Sequence, residues 1–181
     1  MSFRSISLLI PSLLAAAVPV AAPVHAQTPM DHAASTCATP AELPAALADW
    51  RDPLPMQAAS DEKSASRTVL EPGSAVTLAL RPTPAVAYPL RPAKPGGSGS
   101  HGGLASFTVR EAGTWRVALG SGAWVDVVKG GKAESSTAHG HGPECSGIRK
   151  MVDFGLKPGR YTLQIAASGQ EKLTVLVTRL P

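Results

Sequence analysis

From residue 104 onward the chain is cut into short apolar-alternating runs by glycine-bearing turns, and few folds accept such a pattern. The runs fall at 104–110, 114–120, 123–129, 147–154, 160–166 and 172–178. Ala112-Gly113, Ser121-Gly122, Gly130-Gly131, Pro158-Gly159 and Ser168-Gly169 lie between them. A seventh run stands upstream, where Val76, Leu78 and Leu80 alternate with Thr77 and Ala79. A period of two turns one face of each run toward a core and the other away. With 17 Gly and 17 Pro among 181 residues, a helical bundle is excluded. The expectation is an all-β fold, an antiparallel sandwich of seven to eight short strands.

Within this framework the chain repeats itself. Phe107-Thr108-Val109-Arg110-Glu111-Ala112-Gly113-Thr114-Trp115 echoes Phe154-Gly155-Leu156-Lys157-Pro158-Gly159-Arg160-Tyr161. Each copy reads strand, turn glycine, aromatic at the second residue, then alternation: Trp115, Val117, Leu119 in one and Tyr161, Leu163, Ile165 in the other. Aromatics are only 4% of the chain, so four at matching positions mark a repeated β unit. This unit resembles the bacterial pre-peptidase C-terminal domains and related immunoglobulin-like sandwiches attached to secreted proteins. The resemblance covers 68–181 and implies a sandwich in an accessory role, a fold that hosts many unrelated activities.

The other end of the chain reads as an address. Residues 1–26 carry Arg4, then an apolar run from Ile6 through Val20, then Val24-His25-Ala26. That is the order of a secretory signal peptide with cleavage before Gln27. Pro11, Pro19 and Pro23 interrupt the run, which is short for a membrane span. The expected divisions are a signal peptide at 1–26, an arm with a short helix at 27–66, and a sandwich domain at 67–181. The expected location is periplasmic or secreted, with no membrane span after cleavage. In the arm, Leu43, Leu47 and Trp50 share one face of a short helix, while 61–64 reads as an exposed turn. Five prolines in 81–95 permit only an edge strand or an irregular path, and 96–103 reads as a flexible glycine loop.

The formal charge of +4 falls by one with the signal, too little to suggest nucleic acid. Arg149-Lys150, Lys157 and Arg160 form a short basic cluster, read as a solvated face or an anion contact. Partners reduce to an unidentified small ligand or an envelope protein. Cys37 and Cys145 are the two cysteines, and an oxidising compartment favours a bridge between them. A free thiol or a metal thiolate are the rival uses.

One stretch carries candidate chemistry: Ala138-His139-Gly140-His141-Gly142-Pro143-Glu144-Cys145. On an extended backbone His139 and His141 project from one face, and Glu144 is near enough to add an oxygen. Two histidines and a carboxylate suit a divalent metal, Fe, Zn or Cu. His101, Asp126 and Asp153 are remote candidate contributors. The alternative use of the stretch is a polar loop whose glycines permit turns. The spacing is similar to the first cupin motif, although two residues separate His141 from Glu144 where that motif has three or four. No histidine follows Pro158-Gly159, where a second cupin motif would place one.

The stretches 115–128, 139–150 and 158–163 also resemble small exported bacterial proteins that carry the name homogentisate dioxygenase. That resemblance implies a cupin-like mononuclear non-haem iron dioxygenase, opening an aromatic ring with His139, His141 and Glu144 on the metal. The residue-level reading is a non-enzymatic binding or accessory module, with a His-x-His loop able to take a divalent metal. Trp115 and Trp124 flank Gly120-Ser121-Gly122, read as a hairpin turn, and are candidates for stacking on a sugar, each with the alternative of a core position. No serine elbow, phosphate-binding glycine loop or Cys-x-x-Cys is present.

Overall fold

Seven alternating strands form where the period of two demands them: β3 (Ala75–Ala79), β5 (His101–Val109), β6 (Gly113–Leu119), β7 (Trp124–Lys129), β10 (Lys150–Leu156), β11 (Gly159–Ser168) and β12 (Lys172–Arg179). Five shorter strands join them: β1 (Leu54–Gln57), β2 (Val69–Leu70), β4 (Arg81–Pro82), β8 (Lys132–Ala133) and β9 (Ser136–Gly140). The structure, a computed structural model, describes residues 37–181; the expected signal peptide and the first residues of the arm lie outside the described residues. The strands make two six-stranded sheets, an all-β sandwich. Sheet one runs β1-β3-β12-β6-β10-β9, and sheet two runs β2-β5-β11-β7-β8 with β4 also on β5. Pairing is antiparallel except for β1 with β3 and β2 with β5.

The repeated unit explains how the sheets interlock. Each copy crosses from one sheet to the other at its turn glycine, Gly113 (φ +156°) or Gly159 (φ +148°), in a region that favours glycine. The copies then pair with each other: Phe154 stands opposite Trp115 in sheet one, and Tyr161 opposite Phe107 in sheet two. All four aromatics are buried, and Phe107 stacks on Tyr161 with ring centres 5.6 Å apart. Gly120-Ser121-Gly122 also joins different sheets, so it is not the expected hairpin turn. Of the five turn dipeptides, only Gly130-Gly131 closes a hairpin within a sheet, β7 with β8.

Both outer faces are covered in part. A 3-10 helix, Ala45–Arg51, buries Leu47 and Trp50 against Ala75, Ala118 and Leu176 of sheet one and against Ile148, which precedes β10. Cys37 bridges to Cys145 with Cα atoms 5.4 Å apart, which rules out the free-thiol and metal-thiolate readings. Over sheet two, Ala59, Ala65 of α1 (Glu62–Ala65), Val86 and Tyr88 pack around Leu104. The expected exposed turn at 61–64 is the start of α1, with Asp61 capping it by accepting from the Ser64 amide. Its carboxyl is held below the ordinary range, chiefly by that bond.

The expected glycine loop at 96–103 stops short. His101, Gly102 and Gly103 belong to β5, where a Cβ on Gly102 would strike the Tyr88 hydroxyl and one on Gly103 the Ala58 methyl. Those glycines serve close approach. No helix among the described residues is long and apolar enough to cross a membrane.

Candidate functional site

Alternation along β10 puts Val152, Phe154 and Leu156 into the core and carries Lys150 onto that same face, opposite core Leu119. A lysine in a core-phase position breaks the strand's own pattern, as functional sites do. Its stem is half-buried at the mouth of the sandwich, and Nζ donates to the Ala123 carbonyl at 2.6 Å. Burial lowers the Lys150 pKa, the charge of Lys94 lowers it further, and Asp126 partly offsets both.

The neighbouring edge is equally polar. In β9, His139 stands opposite Val152 and Ser136 opposite Phe154, so both lie on the core-facing side of sheet one's last strand. Sheet two leaves room there because β8 pairs only with Val128 and Lys129 and the Glu134 amide donates only to the Val127 carbonyl, so β7 has no strand partner on that side along 124–126. A cavity of about 590 Å³ opens between these edges. Val125, Val152 and Phe154 supply apolar wall, while Lys94, Lys150, His139, Asp126 and Glu134 supply charge or polarity.

Lys94 reaches the cavity by tertiary contact. The proline-rich segment is pinned across β11: the Tyr88 hydroxyl donates to the Ile165 carbonyl (3.0 Å), and the Leu90 amide to Gln164 Oε1 (3.0 Å). Gly96 then lies against the backbone of Ala167, where a Cβ would come within 2.8 Å of the Ala167 Cα. Ala167 itself has φ +55°, at the register shift of β11 between Ile165 and Ser168, and it lines the cavity. The result sets both ammonium groups, Lys94 and Lys150, 5.7 Å from the centre of the Trp124 ring. The indole is fixed in turn, its Nε1 donating to Asp126 Oδ1 (3.0 Å), while fully buried Gln164 donates to Asp126 Oδ2 (3.1 Å).

The His-x-His stretch borders this site. A smaller recess of about 260 Å³ is lined by Gly122, His139, Gly140, His141, Arg149 and Lys150, three of which also line the larger cavity. His139 and His141 thus do share a recess, as an extended backbone requires. The His141 Nδ1 lies 2.8 Å from the Arg149 carbonyl; that oxygen only accepts, which assigns the proton to Nδ1 and leaves the Nε2 lone pair unprotonated in the neutral ring. Gly142 is required by packing, since a Cβ there would meet Ile148, whereas Gly140 has open space.

His139, His141 and Glu144 are not gathered into a ligand set: among the described residues no group of three or more His, Cys, Asp or Glu is placed to hold a metal ion. The remote candidates are engaged elsewhere. Asp153 forms a bidentate pair with Arg116 (2.7 and 2.8 Å), and His101 Nε2 lies 3.9 Å from Glu171. Asp126 lines the cavity beside His139 but serves Trp124 and Gln164. Trp115 is core, donating to the Glu111 carbonyl at 3.2 Å. The basic cluster divides, because Lys150 opens β10 and Lys157 follows its far end, roughly 20 Å away along an extended strand.

Fold and site together define a class: a β-sandwich with a polar, tryptophan-lined cavity at one open edge. No protein-family model matches the chain, and no curated protein matches it either.

Proposed function

We propose that the protein is an exported, non-enzymatic binding module whose ligand occupies the cavity between β7 and β9. One observation carries the reading: polar groups converge on a partly apolar cavity of about 590 Å³, within the range of small-molecule sites. Export is supported by the signal-like order of residues 1–26 and by the disulfide, which suits an oxidising compartment such as the periplasm or the exterior. The accessory role implied by likeness to pre-peptidase C-terminal domains agrees with this reading. The test is a panel of small fragments added to isotope-labelled protein. Shifts at the Trp124 indole and the His139 amide are expected for a subset of fragments, and a panel that leaves both unmoved overturns the proposal.

An iron dioxygenase fits the residues poorly. The three-ligand set of such an enzyme is not assembled among the described residues. A two-histidine site for Zn or Cu is the second reading, favoured by the Nδ1–carbonyl bond that frees Nε2 of His141 for a metal. Replacing both His139 and His141 by alanine is expected to abolish Zn(II) and Cu(II) binding; unchanged binding removes this reading.

A further inference from the structure

We infer that the cavity takes a small amphipathic organic anion, its carboxylate held between Lys94 and Lys150 and its apolar body lying over Val152 and Phe154. The inference rests on the cavity being the ligand site and adds the chemical class.

The first ground is unspent donor capacity. An ammonium group offers three donors. Among the described residues, Lys150 Nζ makes one hydrogen bond, to a carbonyl, and Lys94 Nζ makes none. Neither belongs to any of the ion pairs between described residues. Each lies 5.7 Å from the same ring centre, so no more than twice that distance separates them. Two like charges converge there with no carboxylate bound to either. Asp126 offsets part of this charge at a distance, but its oxygens accept from Trp124 and Gln164 and not from a lysine. Glu134, which also lines the cavity, forms no ion pair with either lysine. Arg149, in the adjoining recess, adds to the same sign.

The second ground is the wall. Val152 and Phe154 are core residues, yet they border the cavity through the gap left by the short β8. A bare inorganic anion leaves that apolar surface wet, whereas a ring or alkyl body covers it. The third is the state of Lys150 itself. Its ammonium is disfavoured by burial and by Lys94, and the negative charge of a bound carboxylate offsets them.

Isothermal titration of the full chain with 2-naphthoate, its neutral counterpart 2-naphthamide and inorganic sulfate separates these elements. The expected result is 2-naphthoate binding at least about ten-fold tighter than 2-naphthamide or sulfate, and weakening as salt is raised. Lys94→Gln and Lys150→Gln should each bring the carboxylate down toward the amide. Lys94 is exposed, so Lys94→Gln leaves folding intact and keeps the test decisive if Lys150→Gln fails to fold. Equal binding of amide and carboxylate, or indifference to Lys94→Gln, overturns anion recognition. Sulfate binding as tightly as 2-naphthoate overturns the amphipathic part. No binding by 2-naphthoate, with neutral fragments still shifting Trp124, also overturns the inference and leaves the cavity reading standing. A fragment panel that never reaches Trp124 overturns the cavity reading itself.

Discussion

Lys150 shares a core-facing row with Val152, Phe154 and Leu156, a placement that suits the proposed anion and works against the fold. A half-buried ammonium next to Lys94 opposes folding, so Lys150→Met should raise stability by about 0.5–1 kcal/mol while abolishing the preference for 2-naphthoate. The sign with pH follows from the lowered pKa. Below the folded value both states are protonated and the full penalty applies. Between that value and the ordinary 10.5 the unfolded chain holds more protons, so stability rises with pH across the window. Lys94, Asp126, Glu134 and His139 share the cavity with Lys150, so the measurement is the difference between wild type and Lys150→Met in urea unfolding at pH 7 and pH 10. The gap between them should narrow at the higher pH; a constant gap contradicts the account. Asp153 is the opposite case, a nearly buried carboxylate that satisfies Arg116 through two bonds and raises its pKa. Asp153→Ala should cost about 2–3 kcal/mol, reduced from a fully buried pair because Arg116 still reaches water. Asp153→Asn, which keeps an acceptor, should cost less in the same unfolding assay.

At the scale of elements, strands that bury one face are legible because packing imposes the period of two, and those seven are the ones the alternation marks. β1, β2, β4, β8 and β9 carry no such signal. They are held by backbone pairing, β1 and β2 with partners remote in sequence and β8 through a tight hairpin to β7, and every residue of β9 is exposed. The site divides along the same line. Lys150 is legible once the phase of β10 is traced, and the His139–His141 pair is legible from an extended backbone. Lys94 is not, because Tyr88, Leu90 and Gly96 bring it to Trp124 through contacts with β11. That crossing makes a testable claim about Gly102. A Cβ there would strike the Tyr88 hydroxyl and lie 2.5 Å from the Ile165 carbonyl oxygen. Gly102→Ala should therefore cost about 1–3 kcal/mol. Gly97→Ala, with open space around it, should be neutral or slightly stabilising by thermal unfolding. Equal effects at the two positions would show that the segment does not press on β5.

At the scale of the whole molecule, the sandwich is closed by segments that are not part of its repeat, and the bridge is where the N-terminal one is fastened. Cys37–Cys145 closes a span of 108 residues, worth about 4–5 kcal/mol through the lost freedom of the unfolded chain. Whether it also holds the segment in place is a separate matter. Leu47 and Trp50 are buried against sheet one, and Trp50→Ala should cost about 3–5 kcal/mol on that ground alone. A few residues later the chain enters β1, whose pairing with β3 anchors the segment from the other end. Cutting the bridge therefore frees the stretch before the 3-10 helix and leaves Trp50 docked. The doubly substituted Cys37→Ser, Cys145→Ser protein should unfold at markedly lower urea, with a loss approaching the loop-closure value. Its tryptophan emission without denaturant should match that of the wild type. A red-shifted emission in the substituted protein before unfolding would mean that the bridge, and not the packing of Leu47 and Trp50, holds the outer layer on the sheet.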